Sequence, residues 1–418
     1  MYKMFEIKER GDSASRIGIL YVRGKKVETP FLFPVINPNK LIIHPKDIEK
    51  KFKINTIITN AYILYKNKFQ IEDIHKFLNF NGVIETDSGS YQMLHYKKEI
   101  EVDNKTIVEF QIKINSDIIN VLDIPTDVDA SYERAKRDLE ITLERIKEGL
   151  EIKKEKNYDG LINGAIQGGI YIDLRREAAF KISKLDVDIF ATGTIVPYMI
   201  KYEFKKLFEI IMEARINLPL NKPVHLFGLG HPLILPLSVL LGNDIFDSAS
   251  YALYAYDNRI LTPFGTVRLE ELKYFEFETP YGFYDLKEVL SLDERERIKI
   301  LAAHNLWVLK KEIEIIKDAI YNGYLYEWVF LKAHSHYKVY EATKFVLEKY
   351  YEWLKKLDPI RKRWGITYKG ELLELRADIK RALERLKERV DPRDYDLIYE
   401  YLYPFKDLKN IRDEKLLH

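Results

Sequence analysis

Three aspartates and a glutamine define the chemistry open to this chain. Each follows a short apolar run. Gly82–Thr86 leads into Asp87-Ser88-Gly89-Ser90, and Ile118–Leu122 leads into Asp123. Leu161–Ile166 leads into Gln167-Gly168-Gly169, and Asp244–Phe246 leads into Asp247-Ser248. Val187–Ala191 runs toward Gly193, and Val224–Phe227 into Gly228-Leu229-Gly230-His231. A single Asp or Ser after a strand is often a helix N-cap. Three Asp and one Gln in the same register read instead as a functional site. Carboxylates gathered there can accept hydrogen bonds, carry protons or attack an electrophile. The chain contains no cysteine. That excludes thiol nucleophiles, disulfides, Fe–S clusters and Cys-ligated zinc. A sugar-phosphate aldolase would need a Schiff-base Lys or metal ligands at strand ends, and neither stands there.

The elements that must position these residues alternate along the chain. Strands are expected at Ile17–Val22, Asn55–Thr59 and the six runs above, with helical patterns between them. Leu139, Leu143, Ile146 and Leu150 mark one helix, and Asp173–Lys184 another. Repeated strand–helix units imply a parallel sheet with right-handed crossovers. Eight units before residue 270 fit an α/β fold of the (β/α)8 TIM-barrel type with inserted elements. In such a barrel all C-terminal strand ends open onto one face, so the four polar residues converge on one mouth.

Beyond Leu269 the pattern turns helical. Helices are expected over Ser291–Leu309, Lys311–Ala319, Glu327–Tyr351 and Glu371–Val390, with a break at Pro359. We therefore expect a catalytic domain over 1–340, with 341–418 as a smaller, mainly α-helical extension. The basic cluster Arg361-Lys362-Arg363-Trp364 reads as a solvated face, with RNA contact as the rival. His225 and His231 read as structural rather than catalytic.

The charge balance is 67 Lys+Arg against 65 Asp+Glu, a net charge of +2. Any basic surface for nucleic acid must therefore be local. The 29 Tyr and 21 Phe exclude a disordered chain. The first ten residues lack a signal-peptide core, and the most apolar stretch, Pro232–Leu241, is too short to cross a bilayer. A cytoplasmic protein without membrane contact is the expectation.

The motifs together resemble the tRNA-guanine transglycosylase family, its archaeal branch in particular. The matching stretches include Val27-Glu28-Thr29-Pro30, Thr86-Asp87-Ser88-Gly89-Ser90-Tyr91-Gln92, Val108-Glu109-Phe110-Gln111 and Ser116-Asp117-Ile118. Others are Leu122-Asp123-Ile124-Pro125-Thr126, Gln167-Gly168-Gly169, Asp173-Leu174-Arg175, Pro223-Val224-His225-Leu226-Phe227-Gly228 and Phe246-Asp247-Ser248-Ala249-Ser250-Tyr251. The resemblance implies a TIM barrel that exchanges a D-loop guanine of tRNA for 7-cyano-7-deazaguanine on the way to archaeosine. It implies Asp247 as nucleophile and Asp87 as the proton-shuttling carboxylate. It implies Asp123, Gln167, Ser88 and the Gly193–Thr194 backbone as contacts to the base, with Tyr91 and Phe227 sandwiching the purine.

The chain departs from the family in two places. Family members bind zinc after the barrel through Cys-x-Cys-x2-Cys and a later His. Phe277, Thr279 and Gly282 stand where the thiolates would be, and only His304 remains. No metal is therefore expected. Phe275, Phe277, Tyr281, Phe283 and Tyr284 are expected to fill the zinc region, 270–310, with an apolar plug. No PUA module, usual in archaeal members, is expected in the sequence up to His418. A PUA-bearing partner subunit is one expectation that follows, and a homodimer is left open. Rival readings are a paralogue acting later in archaeosine synthesis and a tRNA-binding subunit without chemistry.

Overall fold

The computed structural model describes residues 4–91 and 102–389. Three short antiparallel strands come first: β1 (Phe5–Arg10), β2 (Arg16–Val22) and β3 (Lys25–Thr29). Eight parallel strands then close into a barrel: β4 (Phe31–Ile36), β5 (Thr56–Asn60), β6 (Val83–Asp87), β7 (Ile118–Asn120), β8 (Leu161–Ile166), β9 (Ile189–Thr192), β10 (Val224–Leu226) and β11 (Ile245–Ser248). β11 pairs with β4, which removes both sheet edges.

The barrel expectation holds, but its first strand was misplaced. Ile17–Val22 lies in the antiparallel sheet, and the barrel begins at Phe31–Ile36. Pro34 breaks the strand signal of that segment. It sits near the end of β4 opposite Ser248, where the ladder is finishing. The small sheet plugs the bottom of the barrel. Phe5, Leu20, Val22 and Val27 share one buried cluster with Phe31, Phe33, Ile58, Val83, Ile118, Leu161, Ile189 and Ile245.

The strand alternation then stacks the interior in layers. Above the apolar floor come Glu85, Asn120, Asn163 and His225, all buried. Asn120 and Asn163 both donate to Glu85 Oε1 at 2.8 Å. Above these come Asp87 and Asp247 near the ends of β6 and β11, with Gln167 just past the end of β8. Glu85, Asn120, Asn163 and His225 each have at least one fixed hydrogen-bond partner, which holds the polar interior in shape.

The helical region differs from expectation in its breaks. The two helices expected on either side of residue 310 are one, Glu294–Asn322, N-capped by Asp293. The expected Glu327–Tyr351 helix is split into Leu325–Ser335 and Tyr337–Lys349 by His336, whose extended backbone (φ −153°) ends one helix while its ring caps the next. The Tyr337–Lys349 helix packs on the barrel helix Phe204–Arg215, and Lys349 reaches Glu209 at 2.9 Å and Glu213 at 3.0 Å. Glu371–Leu375 is a 3-10 turn and Ala377–Arg389 an α-helix, because Arg376 leaves the helical path to pair with Glu327 and Asp378. Val390 lies outside the described residues.

Most of the basic cluster is a solvated face, with Arg361, Arg363 and Trp364 exposed, but Lys362 is turned inward. Lys362 is clamped between Asp12 (2.7 Å) and Asp358 (2.8 Å), and Arg363 pairs with Glu9 at 3.0 Å. These contacts fasten the extension to the N-terminal sheet. No helix among the described residues is long and apolar enough to cross a membrane.

One buried ion pair anchors the sheet to the last barrel strand. Arg16 meets Asp244 bidentately, with Nε–Oδ1 and Nη2–Oδ2 both at 2.7 Å. Removing one member leaves the other charge buried and alone. Arg16→Ala is expected to cost about 3–5 kcal/mol of stability in urea denaturation.

Candidate active site

The mouth of the barrel collects the side chains that the sequence placed there. Asp247 lies on the last turn of β11. Its Oδ1 accepts from His225 Nε2 at 3.0 Å and from the Gly228 backbone N–H at 2.7 Å. Oδ2 receives neither bond. Gly228 must be glycine here. Its φ is +73°, and a Cβ would stand 2.3 Å from Val196 Cγ2.

Asp87 ends β6 and accepts from Asn60 Nδ2 at 2.9 Å. Asn60 also N-caps the helix Ala61–Lys66, so its amide is held in place. Burial pushes the Asp87 carboxyl up, and so does the charge of Asp123. The Gly89 N–H opposes this, while Asp247 and Glu85 add to it, and the result is about 7.

Asp123, Gln167 and Thr194 form a chain. Gln167 Nε2 donates to Asp123 Oδ2 at 2.5 Å, and Thr194 Oγ1 donates to Gln167 Oε1 at 2.8 Å. Burial raises the Asp123 carboxyl against the hydrogen bonds from Ser90 and Gln167. Ser88 is buried and bonded to Ser90 at 2.8 Å. Gly193 approaches so closely that a Cβ would fall 2.5 Å from Gln167 Nε2. Phe227 is half-buried with its ring 4.6 Å from that of His225, and Tyr91 is 41% exposed. Residues 92–101, which follow Tyr91, lie outside the described residues.

Some contributors were not legible as site residues. Glu85, Asn120 and Asn163 sit inside strands and were not singled out. Their signal was a polar residue two before Asp87, four before Gln167 and three before Asp123. Arg175 is fully buried and donates to the carbonyls of Gly169, Ile166 and Gly193, each at 2.9 Å. It clamps the ends of β8 and β9 together. His225 was expected to be structural, and its imidazole is hydrogen-bonded to Asp247 at 3.0 Å. His231 is buried away from that contact, and burial, with Lys332 and His336 adding to it, pulls it down to about 4.

The zinc implied by the resemblance does not fit the residues present. Phe277 is fully buried, with its ring 5.5 Å from that of His304, and Phe275 lies 5.4 Å from it. The Thr279 hydroxyl donates to the Gly282 carbonyl at 2.9 Å. Both His304 ring nitrogens face carbonyls, Nδ1 at Glu278 (3.2 Å) and Nε2 at Leu261 (3.1 Å). Among the described residues no three His, Cys, Asp or Glu side chains are placed to hold a metal. Tyr281 and Tyr284 pack against the core as well. Phe283 was expected in this plug but is 67% exposed, because it alternates outward on its strand.

Comparison with known proteins agrees with this geometry. The family model described as queuine tRNA-ribosyltransferase matches residues 12–338. The tRNA-guanine(15) transglycosylase of Nanoarchaeum equitans is 49% identical over 99% of this chain and 97% of its own length. The proteins of that name from Pyrococcus furiosus and Methanocaldococcus jannaschii are 48% and 45% identical, each over 92% of this chain. The chain spans 65% and 59% of those two relatives. Eight parallel strands, three carboxylates at their mouth and a family match over most of the length converge on one assignment: the chain belongs to the queuine tRNA-ribosyltransferase family.

Proposed function

We propose that this protein is a tRNA-guanine transglycosylase that exchanges guanine 15 of the tRNA D-loop for 7-cyano-7-deazaguanine in archaeosine biosynthesis. The observation that carries this reading is the division of labour among three carboxylates in one pocket. Asp247 has one oxygen held by two donors and the other free of them. Asp87 titrates near neutrality. Asp123 and Gln167 satisfy one another with groups that also match a guanine edge.

The target guanine must leave its stack to reach a barrel mouth. Once there, its N1–H and exocyclic amine take the Asp123 carboxylate away from Gln167, whose freed amide N–H turns to the base carbonyl. Tyr91 and Phe227 supply the stacking faces. Asp247 Oδ2 attacks ribose C1′ as the C1′–N9 bond breaks, and the electron pair leaves with the base. Asp87 gives the departing guanine its proton. The incoming base then loses N9–H to Asp87 and attacks C1′, and the ester bond to Asp247 breaks. A carboxyl near 7 serves both directions, since neither protonation state is scarce at neutral pH. The chemistry uses no metal. The aromatic cluster around His304 takes the structural place of the family zinc.

Radiolabelled guanine should exchange into tRNA, and Asp247→Ala should abolish the exchange. Failure of the wild type, both alone and with a PUA-bearing protein added, would remove this reading. Metal analysis of the purified protein should find no stoichiometric zinc.

The Asp87 reading also predicts a stability trade-off. Its carboxyl sits above the usual 3.8, so ionising it costs the folded state stability as pH rises from that value toward about 7. Asp87→Asn should therefore raise Tm at pH 8 and leave it nearly unchanged at pH 4, while removing exchange. Calorimetry at the two pH values checks this.

A further inference from the structure

Glu85 and His225 take no part in the steps above, yet both are fully buried beneath Asp247. His225 Nε2 is 3.0 Å from Asp247 Oδ1, and Nδ1 is 3.5 Å from Glu85 Oε2. Neither Nδ1 nor Oε2 has a hydrogen-bond partner among the described residues. Glu85 Oε1, by contrast, takes both Asn120 and Asn163, which fixes the carboxyl with Oε2 toward the imidazole. The rings of Phe33 (5.8 Å) and Phe227 (4.6 Å) flank the imidazole. The ionisable groups facing it are thus Glu85 from β6 and Asp247 from β11.

Two buried polar atoms this close, each otherwise unpaired, call for a proton between them. A second proton, on Nε2, lets the imidazole donate to Asp247 as well, whether the charges are glutamate and imidazolium or neither. Without that second proton, an imidazole protonated only on Nδ1 would turn a lone pair onto the Asp247 carboxylate. Resting on the nucleophile assignment above, we propose that Glu85 and His225 form a two-proton relay that holds Asp247 Oδ1 and leaves Oδ2 as the attacking oxygen. His225 is then a positioning residue for both half-reactions. When Oδ2 bonds to C1′ and the C1′–N9 pair leaves, the charge on Asp247 is lost to the ester. When the C1′–Oδ2 pair returns, Nε2–H faces the reforming carboxylate. No net proton leaves the relay. Burial pulls the imidazole down, but Glu85 and the Asp247 bond more than offset this and the net direction is up.

Single-turnover trapping of the tRNA adduct on the full-length protein, across pH, tests the relay. His225→Phe should slow adduct formation and breakdown by on the order of 100-fold, as loss of one donor to developing charge does elsewhere. KM for tRNA should hold. The pH profile of adduct formation should change, because the imidazole that titrates beside Asp247 is gone. His225→Gln, whose amide donates without titrating, should recover much of the rate, and Glu85→Met should show the same split as His225→Phe. A wild-type adduct rate and pH profile in both His225 variants, or a loss confined to KM or to the folded fraction, would overturn the relay alone. Absence of any adduct in the wild type would overturn the nucleophile assignment and the relay with it.

Discussion

The structure depends on keeping four carboxyl groups together in one barrel without a lysine or arginine hydrogen-bonded to any of them among the described residues. Glu85, Asp87, Asp123 and Asp247 are met instead by Asn120, Asn163, Asn60, Gln167, the Gly228 N–H and one imidazole. An arginine there would pair with a carboxylate and hold it firmly ionised. Amides satisfy the oxygens without neutralising them, so the mutual repulsion and the burial remain. That is why Asp87 rises to about 7 while its geometry stays fixed.

Such a pocket is costly, and the rest of the fold offsets it. The apolar floor, the antiparallel plug and the closed ladder supply burial below the polar layers. Arg175 takes the strain of the β8 and β9 exits by donating three bonds to carbonyls, which lets Gly193 pass against Gln167. The helical extension is bound into the same body by Lys349, Lys362 and Arg376. Of the basic cluster weighed for RNA contact, Lys362 and Arg363 take part in this docking.

Two residues of the matching stretches act as struts. Gln111 accepts from Thr86 and from the Asn120 N–H and donates to the Asn120 carbonyl, which stitches β6 to β7 below the site. Asp117 gathers Lys25, His75 and the Ile84 N–H at the opposite end of the strands. Their place in the motif reflects the register of the carboxylates more than contact with a substrate.

The sequence by itself determined the barrel, the order of its strand ends and the identity of Asp87, Asp123, Gln167 and Asp247. Those follow from local rules: apolar runs of strand length, a polar residue at each exit and a parallel topology that sends every exit to one face. Tertiary structure alone decided what those carboxylates touch. Glu85 and His225 are about 140 residues apart, and the closure of β11 onto β4 completes the ring that makes them neighbours. The same closure placed Phe31–Ile36 in the barrel, whose proline had hidden it, and moved Ile17–Val22 to the plug. Likewise the breaks at His336 and Arg376 answer to capping and ion pairing across the fold. Periodicity along a chain records which face is buried, but the partner that a buried polar group requires is supplied by another strand.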